Sequence, residues 1–148
     1  MTKLYLIGSL RNEAIPPLGN ALRSLGFEVF DDWFAPGPEA DDFWQKYEKG
    51  RGRSYGDALQ GHAGKHVFEF DKGHIESSDL CVLALPAGKS GHLELGYFLG
   101  KGKPGYILFP EEPERWDVMY QFATGVFFDL GSLTDRLLKD YENAYTVF

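Results

Sequence analysis

The chain has 148 residues, 43% of them hydrophobic and 16% aromatic, enough apolar material for one packed domain and too much for a disordered tail. Asp and Glu number 22 against 15 Lys and Arg, a formal net charge of −7. A surface of that sign repels phosphate backbones and argues against nucleic-acid polymers as partners.

No stretch approaches the roughly 20 apolar residues of a membrane span, and the apolar run at residues 4–7 is too short for a leader. The single cysteine, Cys81, cannot close an internal disulfide and sits inside an apolar run. It reads as a core residue and fits a reducing, cytoplasmic setting.

In chain order, Leu4-Tyr5-Leu6-Ile7 is continuously apolar and stops at Gly8-Ser9, the pattern of a buried strand followed by a tight turn. Residues 13–25 take helical spacing. Leu18, Leu22 and Leu25 make the stripe, Pro16 and Pro17 are tolerable only in a first turn, and Gly26 supplies a stop. Residues 27–30 give a second strand. Residues 31–42 read as a loop around Pro36-Gly37-Pro38, in a stretch that also carries Trp33, Phe34, Phe43 and Trp44.

Residues 57–77 return to helical spacing, with Leu59, Ala63, Val67, Phe70 and His74 able to share one face. Gly61, Gly64 and Gly73 weaken that pattern and leave its first half open to an irregular path. Residues 80–85 form a buried strand closed by Pro86, residues 91–99 a short helix entered through Lys89-Ser90, and residues 106–109 another buried strand. The spacing predicts a helix over 111–122, a fifth strand over 126–128 and a last helix over 133–141.

Buried strands alternating with helices predict an α/β fold: one domain over residues 1–148, a five-stranded parallel sheet in a flavodoxin-like or Rossmann-like three-layer sandwich. Such sheets bind ligands beyond the carboxyl ends of their strands, where the strand order reverses. For the order 2-1-3-4-5 that crevice lies between the first and third strands. The segments that follow those strands, residues 8–12 and 86–91, hold the least ordinary chemistry in the chain.

Gly8 would let a ligand approach the backbone and Ser9 could donate a hydrogen bond. Arg11 reads either as a surface arginine or as a planar fork for a phosphate. Glu94 is expected in the first turn of its helix, where the dipole favours an ionised carboxylate. It is either a capping acid or a nucleophile. Gly91 and Gly96 lack a packing reason in so short a helix, and close approach to a ligand would supply one. Asp71 is a surface acid or faces the crevice, depending on the angle of its helix. His62 and His66 stand four apart with no third ligand at suitable spacing, so neither a metal nor a cofactor is expected.

Together, residues 4–11, Asp71 and Asp79, the run Gly91-His92-Leu93-Glu94-Leu95-Gly96-Tyr97 and Gly102-Lys103-Pro104 resemble the nucleoside 2-deoxyribosyltransferase family and its hydrolytic relatives, the 2′-deoxynucleoside 5′-monophosphate N-glycosidases. The resemblance implies Glu94 as nucleophile, Asp71 as the acid acting on base or sugar, and Tyr5 as the group that orients the glutamate. It implies Ser9, Arg11 and Ser90 around the 5′ position, and Thr124 near a position that reaches a neighbouring subunit's site. The implied partners are a deoxynucleoside or deoxynucleotide, a free nucleobase, and further copies of the chain in a homodimer or larger assembly.

The chain departs from the resemblance in two places. The loop at 87–90 lacks an aspartate that many transferases carry, and its Lys89-Ser90 beside Arg11 leans toward a monophosphate. Residues 33–65 are longer than expected, and there Trp33, Phe34, Trp44 and Tyr47 either stack on the base or close a small lid. Two other readings stay open: hydrolysis of a deoxynucleoside monophosphate, and a non-catalytic nucleotide-sensing module on the same fold.

Overall fold

The computed structural model describes residues 1–142; positions 143–148 of the domain expected over the whole chain lie outside the described residues. The elements in chain order are β1 (Lys3–Ile7), α1 (Ile15–Ser24), β2 (Glu28–Phe30), α2 (Ala40–Gly50), α3 (Tyr55–Leu59), α4 (His62–Ser77), β3 (Leu80–Ala84), α5 (Lys89–Gly100), β4 (Gly105–Leu108), β5 (Gly125–Phe127) and α6 (Leu130–Asp140). All five strands are parallel, in the order β2-β1-β3-β4-β5.

Side chains alternate across a strand, so the unbroken apolar run of β1 serves two cores. Leu4 and Leu6 join Leu80 and Val82 of β3 under α1 (Ile15, Leu18, Leu22) and α6 (Leu133, Leu137). Tyr5 and Ile7 join Cys81 and Leu83 under Ile75 of α4 and Leu95 and Phe98 of α5. Burying each such aliphatic side chain contributes roughly 1.5–3 kcal/mol. Pro16 and Pro17 fall in the first turn of α1, and the helix stops at Gly26, whose φ of 99° suits glycine alone. The buried member nearest the start of α1 is Ile15, while Leu25 only packs against the core edge.

Three stretches depart from the sequence reading. Residues 111–122 are irregular and end in a 3-10 turn, Val118–Phe122, started by the Asp117 side chain accepting from the Met119 N–H. Pro110 and Pro113 break any longer helix here. The expected loop at 31–42 contains a 3-10 turn, Asp32–Phe34, and runs into α2, which the sequence reading missed. Finally, the helix expected over 57–77 divides into α3 and α4 at residues 60–61, and its supposed apolar face is not core. Val67, Phe70 and Leu59 are exposed, and only Ile75 of α4 is buried. The face is apolar in sequence, but α4 touches the sheet only near its C-terminal end. Among the described residues no helix is long and apolar enough to cross a membrane.

Candidate active site

Parallel strand order places β1 beside β3 at the centre of the sheet, with Tyr5 opposite Cys81. Over this pair, on the face covered by α4 and α5, three ionisable side chains converge. The Tyr5 hydroxyl donates to Glu94 Oε2 at 2.9 Å, and both groups feel the charge of Asp71 from α4. Tyr5 itself is 1% exposed, held between the rings of Phe30 (5.1 Å) and Phe98 (5.9 Å). A tyrosine so buried does not swing away, so its hydroxyl is a fixed donor aimed at the carboxylate.

The electrostatics differ from the sequence reading. α5 begins at Lys89, two residues before the expected start, so Glu94 lies in the second turn. The field of the helix terminus falls off within one turn, and burial takes over. Desolvation pushes the Glu94 carboxyl up to about 7, against the opposing pull of the Tyr5 hydrogen bond, and the charge of Asp71 adds to the rise. Burial also raises Asp71 above the usual carboxylate range. Burial, reinforced by the charges of Glu94 and Asp71, raises Tyr5, which stays protonated as a donor. Two carboxyl groups with elevated pKa values in one apolar setting can divide the roles of charged nucleophile and neutral acid.

Around this cluster the expected residues fare unequally. Gly8 lies against Ile15 and Trp33: a Cβ there would stand 2.4 Å from Ile15 Cδ1 and 3.5 Å from the Trp33 ring. Gly91 is likewise a packing glycine, its would-be Cβ 3.2 Å from atoms of Ile7, Leu83 and Ala87. Both therefore have the packing reason the sequence did not reveal. Gly96 faces open space. Ser9 Oγ accepts from the Arg11 N–H at 3.1 Å and so shapes the turn. Ser90 is exposed in the first turn of α5.

Trp33 donates from Nε1 to the Leu6 carbonyl at 2.7 Å. β2 pairs with β1 only as far as Tyr5, so this indole caps strand backbone that β2 has left uncovered. Trp33 is thus a fixed wall of the crevice, with Phe34 edge-on to it. Thr124 is not brought to the crevice of its own chain. It precedes β5 and is locked to Gly105 by two hydrogen bonds, at the amino end of the strands.

Some participants were missed. Asp42 of α2 pairs with Arg11 at 3.2 Å. The helical spacing of residues 40–50 was its only sequence signal, obscured by the Pro-Gly-Pro before it. His92 bridges the Gly88 carbonyl and the Tyr120 hydroxyl, both at 2.8 Å, and ties the irregular 110–122 stretch to the start of α5. Phe30 stacks on His74 at 3.8 Å and steadies the wall behind Tyr5. Among the described residues no three His, Cys, Asp or Glu gather in a group that could hold a metal ion.

No protein-family model and no curated protein matches the chain. Solved structures do share its fold. A 2-deoxyribosyltransferase from the psychrotolerant bacterium Bacillus psychrosaccharolyticus superposes with a TM-score of 0.64 at 20% identity, covering 90% of this chain and 91% of that one. The CMP N-glycosidase BcmB of Clostridium botulinum superposes with a TM-score of 0.56 at 14% identity, covering 92% and 98%. At these identities the likeness is one of fold.

Proposed function

We propose that this chain cleaves the N-glycosidic bond of a 2′-deoxynucleoside through a covalent deoxyribosyl–Glu94 ester and passes the sugar to a second nucleobase. The observation that carries the reading is the Tyr5–Glu94 hydrogen bond with Asp71 alongside, over the seam between β1 and β3. Two solved structures that share this fold are named for a deoxyribosyl transfer and an N-glycoside cleavage, which supports the same chemistry here.

Deoxyribose lacks the electron-withdrawing 2′-hydroxyl, so positive charge forms readily at its C1′. With Oε2 held by Tyr5, the Glu94 carboxylate attacks C1′. The C1′–N bond breaks with its electron pair going to the base, and Asp71 gives the departing base a proton. A ring nitrogen of an incoming base then attacks C1′ from the opposite side, releases the glutamate and returns a proton to Asp71. Two inversions give net retention. Water as acceptor turns the same site into a hydrolase.

The test is product analysis of a deoxynucleoside with and without a second free base. Exchanged nucleoside establishes transfer, and free base with deoxyribose alone establishes hydrolysis. Ligand binding without turnover would leave a nucleotide-sensing module and sink the enzymatic reading. Further copies of the chain are part of the proposal, because Val67, Phe68 and Phe70 lie exposed next to Asp71, an apolar patch that a partner copy would cover. Sedimentation should therefore show a dimer or larger species. A cytoplasmic setting suits the buried, unpaired Cys81.

A further inference from the structure

We infer that Asp42 sets the charge of the substrate accepted by this site: by occupying Arg11 it disfavours a 5′-phosphate and leaves a neutral 5′-hydroxyl as the preferred group. The inference rests on the functional reading above and deepens it. Arg11, in the turn after β1, is the cation that a phosphate would seek, because a guanidinium offers a planar fork matched to phosphate oxygens. Its Nη2 instead meets Asp42 Oδ2 at 3.2 Å, with the two side chains 63% and 64% exposed.

An exposed ion pair between two mobile side chains is weak. The other half of the helix presenting Asp42 carries its few buried contacts. Glu48 of α2 is 2% exposed and lies against Arg51 at 3.4 Å and Arg53 at 3.7 Å. Trp44 packs on α4 at Gly64, where a Cβ would stand 3.2 Å from its ring. α2 thus touches α4 behind through Trp44 and reaches Arg11 in front through Asp42, and the effect of so exposed a pair on a phosphate is modest.

The same first turn carries Asp41, and Glu39 precedes it, so the end of α2 near Arg11 is acidic. A phosphate dianion bound at Arg11 would have to displace one carboxylate and then sit beside it and its neighbours. Arg11 with Lys89-Ser90 pointed toward a monophosphate in the sequence alone; the Arg11–Asp42 pair reverses that lean.

The test compares the best-used deoxynucleoside with its own 5′-monophosphate, by calorimetry, in a Glu94→Gln background where turnover has stopped. The parent should bind the monophosphate no better than the nucleoside. Asp42→Asn should tighten the monophosphate between about twofold and tenfold and leave the nucleoside unchanged. Asp41→Asn removes the same charge one residue away without touching Arg11 and should give a clearly smaller gain. Adding Arg11→Ala to Asp42→Asn should abolish the gain.

An unchanged monophosphate affinity in Asp42→Asn, or an equal gain in Asp41→Asn, would overturn the inference while a bound nucleoside leaves the functional reading standing. If neither compound binds, the functional reading fails and this one with it.

Discussion

Replacing Tyr5 by Phe deletes one oxygen and tests the core of the site. The hydroxyl donates at 2.9 Å to Glu94 and is the influence that lowers the Glu94 pKa against burial and the charge of Asp71. A hydrogen bond to a charged group contributes about 1.5–3 kcal/mol, and one pH unit corresponds to 1.36 kcal/mol, so its loss should move the Glu94 titration up by roughly one to two pH units. Glu94 titrates near 7 with Tyr5 present. If its ionised form is the nucleophile, kcat/KM should rise through pH 7 in the parent enzyme and at a clearly higher pH in Tyr5→Phe. At pH 7 the variant should be slower by about fivefold to fiftyfold, and near pH 9.5 most of the deficit should disappear. The assay is chromatographic release of base from a deoxynucleoside between pH 5.5 and 9.5. A variant slower by the same factor at every pH would refute the reasoning, because Tyr5 would then act by shape and not through the charge of Glu94.

The other predictions follow from the same geometry. Glu94→Gln should lower turnover by at least about a thousandfold, with chromatography as the readout. The same variant should be more stable at pH 8. Between the ordinary 4.5 and about 7 the folded chain holds a proton the unfolded chain has released, so native stability falls as pH rises through that window. The gap corresponds to at most about 3 kcal/mol, and urea titration should find a gain of up to that size at pH 8 and little at pH 4.5. Asp71→Asn should reduce kcat by about a hundredfold or more with a smaller effect on KM; a change confined to KM would remove its role as acid. Gly8→Ala should destabilise by about 1–3 kcal/mol, since its Cβ meets the fully buried Ile15. Gly96→Ala, on the open side of α5, should add up to about 1 kcal/mol in the same titration.

Local pattern was enough for the strands and the sheet. The apolar runs at 4–7, 80–85 and 106–109 are short and bounded by Gly8, Pro86, Gly105 and Pro110, which marks them as strands covered on both faces, and their alternation with helices points to parallel order. Pro16, Pro17 and Gly26 bounded α1 because their backbone preferences act on their own residues alone. The candidate site was legible to the extent that two chain segments follow the two central strands, and Glu94 stands on the helix that one of them enters.

The rest depends on what lies far away in sequence. The pKa of Glu94 is set by burial among residues from α4, α5 and β1, and the two-residue difference in the start of α5 moved it out of reach of the helix terminus. Whether Asp71 faced solvent or the cluster depended on how α4 leans on the sheet. Gly91 gains its packing reason only when Ile7 and Leu83 stand beneath it. The contact between Arg11 and Asp42 spans 31 positions and a helix hidden behind Pro36-Gly37-Pro38. Periodicity reports which face of an element is apolar. It does not report what meets that face, and charge, desolvation and hydrogen bonding at the site are properties of that meeting.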